Sequence, residues 1–289
     1  MTSIAAIIWT YNPSIPNLSR CLFSIVPDVD KIFVIDNNSE NRYDVEKICR
    51  SFFKVKFIEV GFNSGVRALN IGISLALRSG AELILLLDDD SYVRPGAIKK
   101  ILEIYEKFVK KSHISSKVAA IKIIENVKKL GKFRGRLVVS PSHLIIFSGT
   151  FIKADVLKCK GIKIREGFFL DQADFDFFYR VRRRGFIIFI YVDELLKHKL
   201  GILQLIREKP RIYENSWRYY LIVRNSTILF LERAMPPHIY FFQMISYLYS
   251  LWFAEGFQKA LRSLIIGLAH GLFKKEGYLD PSFFKVSTR

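Results

Sequence analysis

LILLLDDDS, residues 83–91, joins five consecutive aliphatic residues to three consecutive aspartates. The apolar run has strand length and no polar face, which fits a strand covered on both sides. Three more short runs have the same character: residues 4–9 (IAAIIW), 31–35 (KIFVI) and 55–60 (VKFIEV). Stretches of helical period lie between them at residues 15–25, 43–53 and 65–79, and Pro95 opens another to about residue 110. This alternation predicts an α/β fold with a mostly parallel, Rossmann-like sheet and flanking helices. Polar residues follow each strand at once: Tyr11 and Asn12, then Asp36, Asn37 and Asn38, then Asn63, then Asp88, Asp89 and Asp90. Ligands of open α/β sheets bind beyond the carboxyl ends of the strands, so four strand ends point polar groups at one crevice.

The composition bounds the function classes. Of 289 residues, 50% are apolar and 25% charged, which supports a sizeable core and argues against global disorder. The net charge of +18 suits an anionic partner: a nucleoside diphosphate, a nucleic acid or an anionic membrane. Cys21, Cys49 and Cys159 are far apart, so neither a disulfide framework nor a thiolate metal site is expected, and a reducing compartment follows. The N-terminus lacks a basic segment and a signal-length apolar run. These features predict a cytoplasmic location. The longest apolar stretch, residues 238–254, carries tyrosines and Gln243 through its middle and reads poorly as a membrane span. Residues 258–275 alternate basic and apolar residues, which fits either a helix on a membrane surface or an amphipathic helix packed on the catalytic domain.

Two carboxylate clusters carry chemistry. Asp88 and Asp90 point the same way if the strand stays extended, and paired carboxylates suit Mg2+ or Mn2+. The alternative is a capping cluster for the helix after Pro95, with Asp90 or Ser91 at its start. The second cluster is Asp171, Asp174 and Asp176, set among phenylalanines at a predicted helix start. Apolar neighbours raise a carboxyl pKa and a helix N-terminus lowers it, so a general base is one reading and an Asp176–Arg180 ion pair the other. His198, between Lys197 and Lys199, is a candidate further ligand for Mn2+.

Together the segments IIWTYNP (residues 7–13), FVIDNNS (33–39), NSGVRALNIGISLALRSGAE (63–82), LLLDDDS (85–91), SGTFIKADVL (148–157), FFLDQADFDFFYRVRRRGF (168–186), HKLG (198–201) and RYYLIVRN (218–225) resemble the inverting family-2 glycosyltransferases of GT-A fold. The likeness is strongest to their rhamnosyltransferase and galactofuranosyltransferase-like branch. It implies a nucleotide-sugar donor, dTDP-, UDP- or GDP-linked, and a glycan or lipid-linked acceptor. It implies that Thr10, Tyr11, Asn12 and Asp36 contact the base and ribose, and that Asn63, Gly65 and Arg67 lie against the base or diphosphate. Asp88 and Asp90 match the family's DxD metal motif, Asp89 stands between them beside the donor, and His198 matches a later metal-ligating histidine. Asp174 matches the aspartate of the family's Glu-Asp base motif, although Ala173 precedes it where the family has Glu. Asp171 and Asp176 match the Asp-x-x-Asp-x-Asp/Glu form of the rhamnosyl branch and are alternative bases. Arg224-Asn225 matches a recurring pair to which the sequence assigns no role.

The expected organisation is a catalytic domain over residues 1–205, with a nucleotide-sugar half at about 1–92 and an acceptor half at about 93–205. A C-terminal helical region over residues 206–289, associated with the cytoplasmic face of a membrane, completes it. One rival enzyme reading is a polyprenyl-phosphate glycosyltransferase. Another class, a basic nucleic-acid-binding protein using Arg180–Arg184, lacks a reader motif and keeps its aromatics in apolar runs, so no nucleic acid is expected as partner.

Overall fold

The computed structural model describes residues 2–124, 126, 130–159, 162–197, 202–206 and 209–284, the backbone alone for 202–206 and 209–213. The first half follows the apolar-run pattern. Strands β1 (Ile4–Thr10), β2 (Lys31–Asp36), β3 (Val55–Glu59) and β4 (Leu83–Asp88) alternate with helices α1 (Ile15–Ile25), α2 (Arg42–Arg50) and α3 (Arg67–Arg78). After β4 come a short strand β5 (Tyr92–Val93) and helix α4 (Ala97–Ile104), which continues as a π-helical segment, Tyr105–Lys110. Strands β6 (Val118–Ile124), β7 (Leu137–Val139) and β8 (Thr150–Lys153) follow, then helices α5 (Ala154–Lys158) and α6 (Ala173–Arg183), and strands β9 (Ile187–Glu194) and β10 (Leu196–Lys197).

Eight strands form one sheet in the order β3-β2-β1-β4-β8-β6-β9-β7. The four N-terminal strands are mutually parallel, and β8 enters antiparallel between β4 and β6. One face of the sheet buries Ile4, Ala6, Ile8, Ile32, Val34, Leu83, Leu85 and Leu87 against Leu18, Leu22 and Ile25 of α1 and Ile98 and Ile101 of α4. Strands buried on both faces have no polar period, and this is why LILLL is continuous. The register does the positioning. Thr10 lies opposite Asp36, Asp36 opposite Glu59, and Trp9 opposite Asp88, so the carboxyl ends of four strands finish level.

The chain divides into two compact units, Met1–Ile164 with Phe177–Lys199, and Arg165–Asp176 with Leu200–Arg289. The second unit holds an antiparallel hairpin, β11 (Ile202–Ile206) and β12 (Lys209–Tyr213), and helices α7 (Ser216–Leu231), α8 (Pro237–Glu255) and α9 (Phe257–Leu272). Asn215 caps α7, its side chain accepting from the Arg218 amide. Helix α7 is buried along most of its length, and its Tyr220 and Leu221 share a small core with Phe169 and Phe284. Among the described residues no helix is long and apolar enough to cross a membrane.

Candidate active site

In the first unit, the loops after β1, β2 and β3 are tied together by their own polar side chains. Asp36 is fully buried at the end of β2. Its Oδ2 accepts from Thr10 Oγ1 at 2.8 Å and Ser39 Oγ at 2.6 Å, and its Oδ1 from the Ser39 amide at 2.8 Å. Thr10 is buried too, so these two residues brace the loops from inside, and the solvent-facing residues here are Tyr11 and Asn12. Asn12 takes a left-handed backbone (φ 52°), held by its amide donating to Ser39 Oγ and its Oδ1 accepting from the Glu40 amide. Asn37 links the next loop: its Oδ1 accepts from Ser64 Oγ at 2.7 Å, and its Nδ2 donates to the Gly65 carbonyl at 3.3 Å. Asn63 Oδ1 accepts from the Gly65 amide, and Arg67 is exposed with its guanidinium over the Phe62 ring. The structure thus gathers Thr10, Asn12, Asp36, Asn63 and Gly65 at one edge of the sheet. It adds Ser39 and Ser64, to which the sequence attached no role, and makes Asn37, one of the polar strand-end residues, the link between two loops. Their signal was present in the polar runs DNNS and NSG.

Asp88 closes β4 and Asp89 and Asp90 form the turn that follows, all three partly buried. They do not cap α4. The residue before that helix is Gly96, in a left-handed conformation (φ 76°), with no side-chain cap. Ser91 is engaged elsewhere, its Oγ 2.7 Å from Ser148 Oγ, and Ser148 Oγ accepts from the Asp88 amide. The buried Lys122 donates to the Ser148 carbonyl. Ser148 and Lys122 are therefore supports that strand-end reasoning missed; SGT at residues 148–150 was their only trace. The three carboxylates bear on one buried thiol: Cys21 is pushed up, first by burial and then by Asp89, Asp88 and Asp90.

Carboxylate oxygens at this turn are the donor chemistry of Mg2+ and Mn2+. Mg2+ in particular is commonly held by one or two carboxylates plus substrate phosphates rather than by an all-protein cage. Among the described residues no cluster of three or more metal-binding side chains is formed, so the phosphates of a donor would have to complete the set. Asp88 and Asp90 fit a cation on those terms. His198 lies outside the described residues.

In the second unit, the segment before α6 is wound into left-handed backbone at Phe169 (φ 64°), Asp171 (φ 25°) and Gln172 (φ 67°). Non-glycine residues persist there only when neighbours over-determine them. The neighbours are Arg224 and Asn225, both fully buried on α7. Arg224 donates to the carbonyls of Gly277 at 2.6 Å, Phe168 at 2.9 Å and Gly167 at 3.3 Å. Asn225 Nδ2 shares its two protons among the carbonyls of Asp171 at 2.8 Å, Phe168 at 3.0 Å and Leu170 at 3.1 Å. The recurring Arg-Asn pair thus has a structural account.

The three candidate bases differ in their surroundings. Asp171 is gripped by Arg218, with Nη2–Oδ1 at 2.6 Å and Nε–Oδ2 at 3.3 Å. Asp176 is 2% exposed, 3.5 Å from an Arg165 that also binds Glu232 and Glu276. Asp174 sits in the first turn of α6, partly exposed, its Oδ1 accepting from the Phe175 amide.

Arg218 also holds Glu214, at 2.7 Å. Burial pushes the Glu214 carboxyl from 4.5 up to about 7; Arg218 pulls it down, and Asp171 adds to the rise. A carboxyl raised in the folded state holds its proton longer there than in the unfolded chain. Its stabilising contribution is present at low pH and is lost as pH climbs from about 4.5 to about 7. Glu214→Gln is expected to flatten the loss of stability across that window, by about 2 kcal/mol. Denaturant midpoints at pH 5 and 8 measure it, and parallel curves for both proteins would refute the assignment.

Known proteins similar to this chain bear on its family and fold. Residues 5–138 match the family model described as glycosyl transferase family 2. The chain is 28% identical over 254 residues to the dTDP-rhamnosyl transferase RfbF of Shigella flexneri, an alignment covering 81% of this chain and 82% of that protein. Among solved structures it is similar to S. aureus TarS 1-349 in complex with UDP-GlcNAc, with a TM-score of 0.60 at 13% identity, covering 94% of this chain and 81% of that one. It is also similar to the mannosyltransferase PcManGT from Pyrobaculum calidifontis, in complex with GDP-Man and Mn2+, with a TM-score of 0.56 at 14% identity, covering 96% of this chain and 76% of that one. At such identities the two structures speak for the fold, which is GT-A. The N-terminal half of the chain is thus similar to the family-2 glycosyltransferases, and most of its length is similar to a dTDP-rhamnosyl transferase.

Proposed function

We propose that the protein moves a sugar from a nucleoside-diphosphate donor to a hydroxyl of a glycan or lipid-linked acceptor, with inversion, at the cytoplasmic face of a membrane. The carrying observation is the placement of Asp88, Asp89 and Asp90 at the carboxyl end of β4, beside loops already braced by Asp36 and Asn37 and not used as a helix cap. Asp88 and Asp90 would hold Mg2+ or Mn2+, which when bound offsets the negative charge that grows on the departing diphosphate. Tyr11, Asn12 and Arg67 are exposed at the strand ends and receive the base, ribose and phosphates. Asp174 accepts the proton of the acceptor hydroxyl. The acceptor oxygen bonds to the anomeric carbon as the bond from that carbon to the phosphate oxygen breaks, and the bonding pair leaves with the diphosphate. A single displacement inverts the anomeric centre and leaves no sugar on the enzyme.

The relative with 28% identity makes dTDP-rhamnose the first donor to test. With dTDP-, UDP- and GDP-sugars compared by thermal shift, one nucleotide is expected to stabilise the protein by about 2.7 kcal/mol at a hundred times its Kd, and only with Mn2+ or Mg2+ present. Asp90→Ala should remove the metal-dependent part. Absence of a shift with every donor, metal included, would sink this reading.

A further inference from the structure

Helix α9 packs on α7 through small residues and leaves large apolar residues exposed. The face that packs inward is small: Ala260, Ser263, Gly267 and Gly271 are buried. A Cβ at Gly267 would stand 2.7 Å from Val223, and one at Gly271 2.5 Å from Thr227, so the lack of a side chain is what lets α9 lie directly on α7. Another face is apolar and points out: Phe257, Leu261, Ile265 and Leu272 recur at helical spacing and are exposed, while Leu264, Ile266 and Leu268 are half-buried. The helix therefore packs on α7 with one face and presents a second, apolar face outward.

Helix α8 continues the pattern. Phe241, Phe242, Ile245, Trp252 and Phe253 are exposed and fall on one side of it, with Phe242 72% exposed. Patches of this kind on a soluble protein mark something that covers them. The charges nearby say what. Helix α8 contains no lysine or arginine, and its one acid, Glu255, is bound to Lys259 and to the Ser216 amide. Arg233, Arg262, Lys274 and Lys275 are exposed around the two helices; of the acids beside them, Glu232 is held by Arg165 and Lys274, Glu276 is held by Arg165, and Asp280 is exposed. The patch is thus aromatic and aliphatic at its centre and basic at its margin, in a chain of net charge +18.

From the outward-facing large residues of α8 and α9 and their basic margin, we infer that this surface docks on an anionic lipid bilayer, lying in the headgroup region without crossing it. Aromatic rings and aliphatic side chains enter the boundary between headgroups and acyl chains, and the arginines and lysines meet lipid phosphates. A second copy of the chain is the less suitable occupant, because it would bring the same positive margin against this one. The inference does not depend on the transferase reading, since neither nucleotide nor acceptor takes part.

The test uses the full chain and vesicles of phosphatidylcholine, with and without about 30% phosphatidylglycerol, in a flotation assay without nucleotide. Partition onto the anionic vesicles is expected at least ten-fold above that onto neutral ones, falling as salt rises through the screening range. The double variant Phe242→Ser, Ile265→Ser changes only exposed positions, so the fold is retained, and it should lower partition about ten-fold. Arg262→Glu with Lys275→Glu should erase the preference for anionic lipid. Trp252 should shift its fluorescence to the blue on vesicles, a signal that Trp252→Phe removes. Failure to float with anionic vesicles, or unchanged flotation of the double variant, would overturn the inference. So would a dimer in sedimentation that the same two serines dissociate while vesicle binding stays absent, which would assign the face to a second copy.

Discussion

Asp174→Asn is expected to lower the rate of sugar transfer about 10²- to 10⁴-fold while donor affinity, read by thermal shift, stays within about two-fold. The argument is one of surroundings. A general base must offer its carboxylate to an incoming hydroxyl. Asp171 has both oxygens on the Arg218 guanidinium, and Asp176 is buried beside Arg165. Asp174 stands partly exposed where α6 starts, at the positive end of the helix dipole, which favours the charged form needed to take a proton. The three substitutions should therefore separate. Asp171→Asn and Asp176→Asn should act chiefly on stability, because each leaves a partly buried arginine short of a partner. Asp174→Asn should act on kcat with little change in melting temperature. If it transfers sugar within about three-fold of the parent, the hydroxyl-acceptor mechanism fails, and an acceptor phosphate that needs little base catalysis, as in a polyprenyl-phosphate transferase, takes its place.

The N-terminal half was legible because strands covered on both faces leave unbroken apolar runs, and each run ended in residues that cannot continue a buried strand. The runs at residues 4–9, 31–35, 55–60 and 83–87 all became strands, and the cap alternative at Asp90 was removed by Gly96, a residue that neither alternative invoked. The antiparallel β8 was not legible: TFIK is four residues long with no period, and its place between β4 and β6 depends on pairing across a gap of more than sixty residues from β4. The roles of Ser148, Lys122 and Asn37 were hidden for the same reason, since each acts through a partner distant in sequence. On α9 the period was visible but its direction was not. Basic and apolar residues alternate identically whichever apolar residues face in, and the glycine contacts with Val223 and Thr227 show which face lies on α7.

Asn225→Leu is expected to cost about 3 kcal/mol and to lower the melting temperature by several degrees, out of proportion to a change that nearly conserves volume. Asn225 is completely buried, and its side-chain amide serves the carbonyls of Phe168, Leu170 and Asp171. Phe168 keeps a second donor in Arg224, whereas the other two carbonyls lose this one inside the protein. A buried carbonyl left without its donor costs about 1–3 kcal/mol. The left-handed residues Phe169, Asp171 and Gln172 add to the penalty, because the same hydrogen bonds hold them in place and each would relax toward ordinary backbone once released. Asn225→Asp separates this account from simple packing. It is nearly isosteric with the parent, yet it turns the donor into a carboxylate facing three carbonyl oxygens, and only the hydrogen bond from Arg224 Nε favours it. It should therefore destabilise at least as much as leucine does. The segment runs into α6 within two residues, so both variants should also displace Asp174, lowering kcat while donor binding at β4 is spared. Denaturation curves together with kcat and donor Kd for the two variants measure all of this. An Asn225→Asp protein as stable as the parent would show that these carbonyls do not need the donor, and the role assigned to the Arg224-Asn225 pair would be wrong.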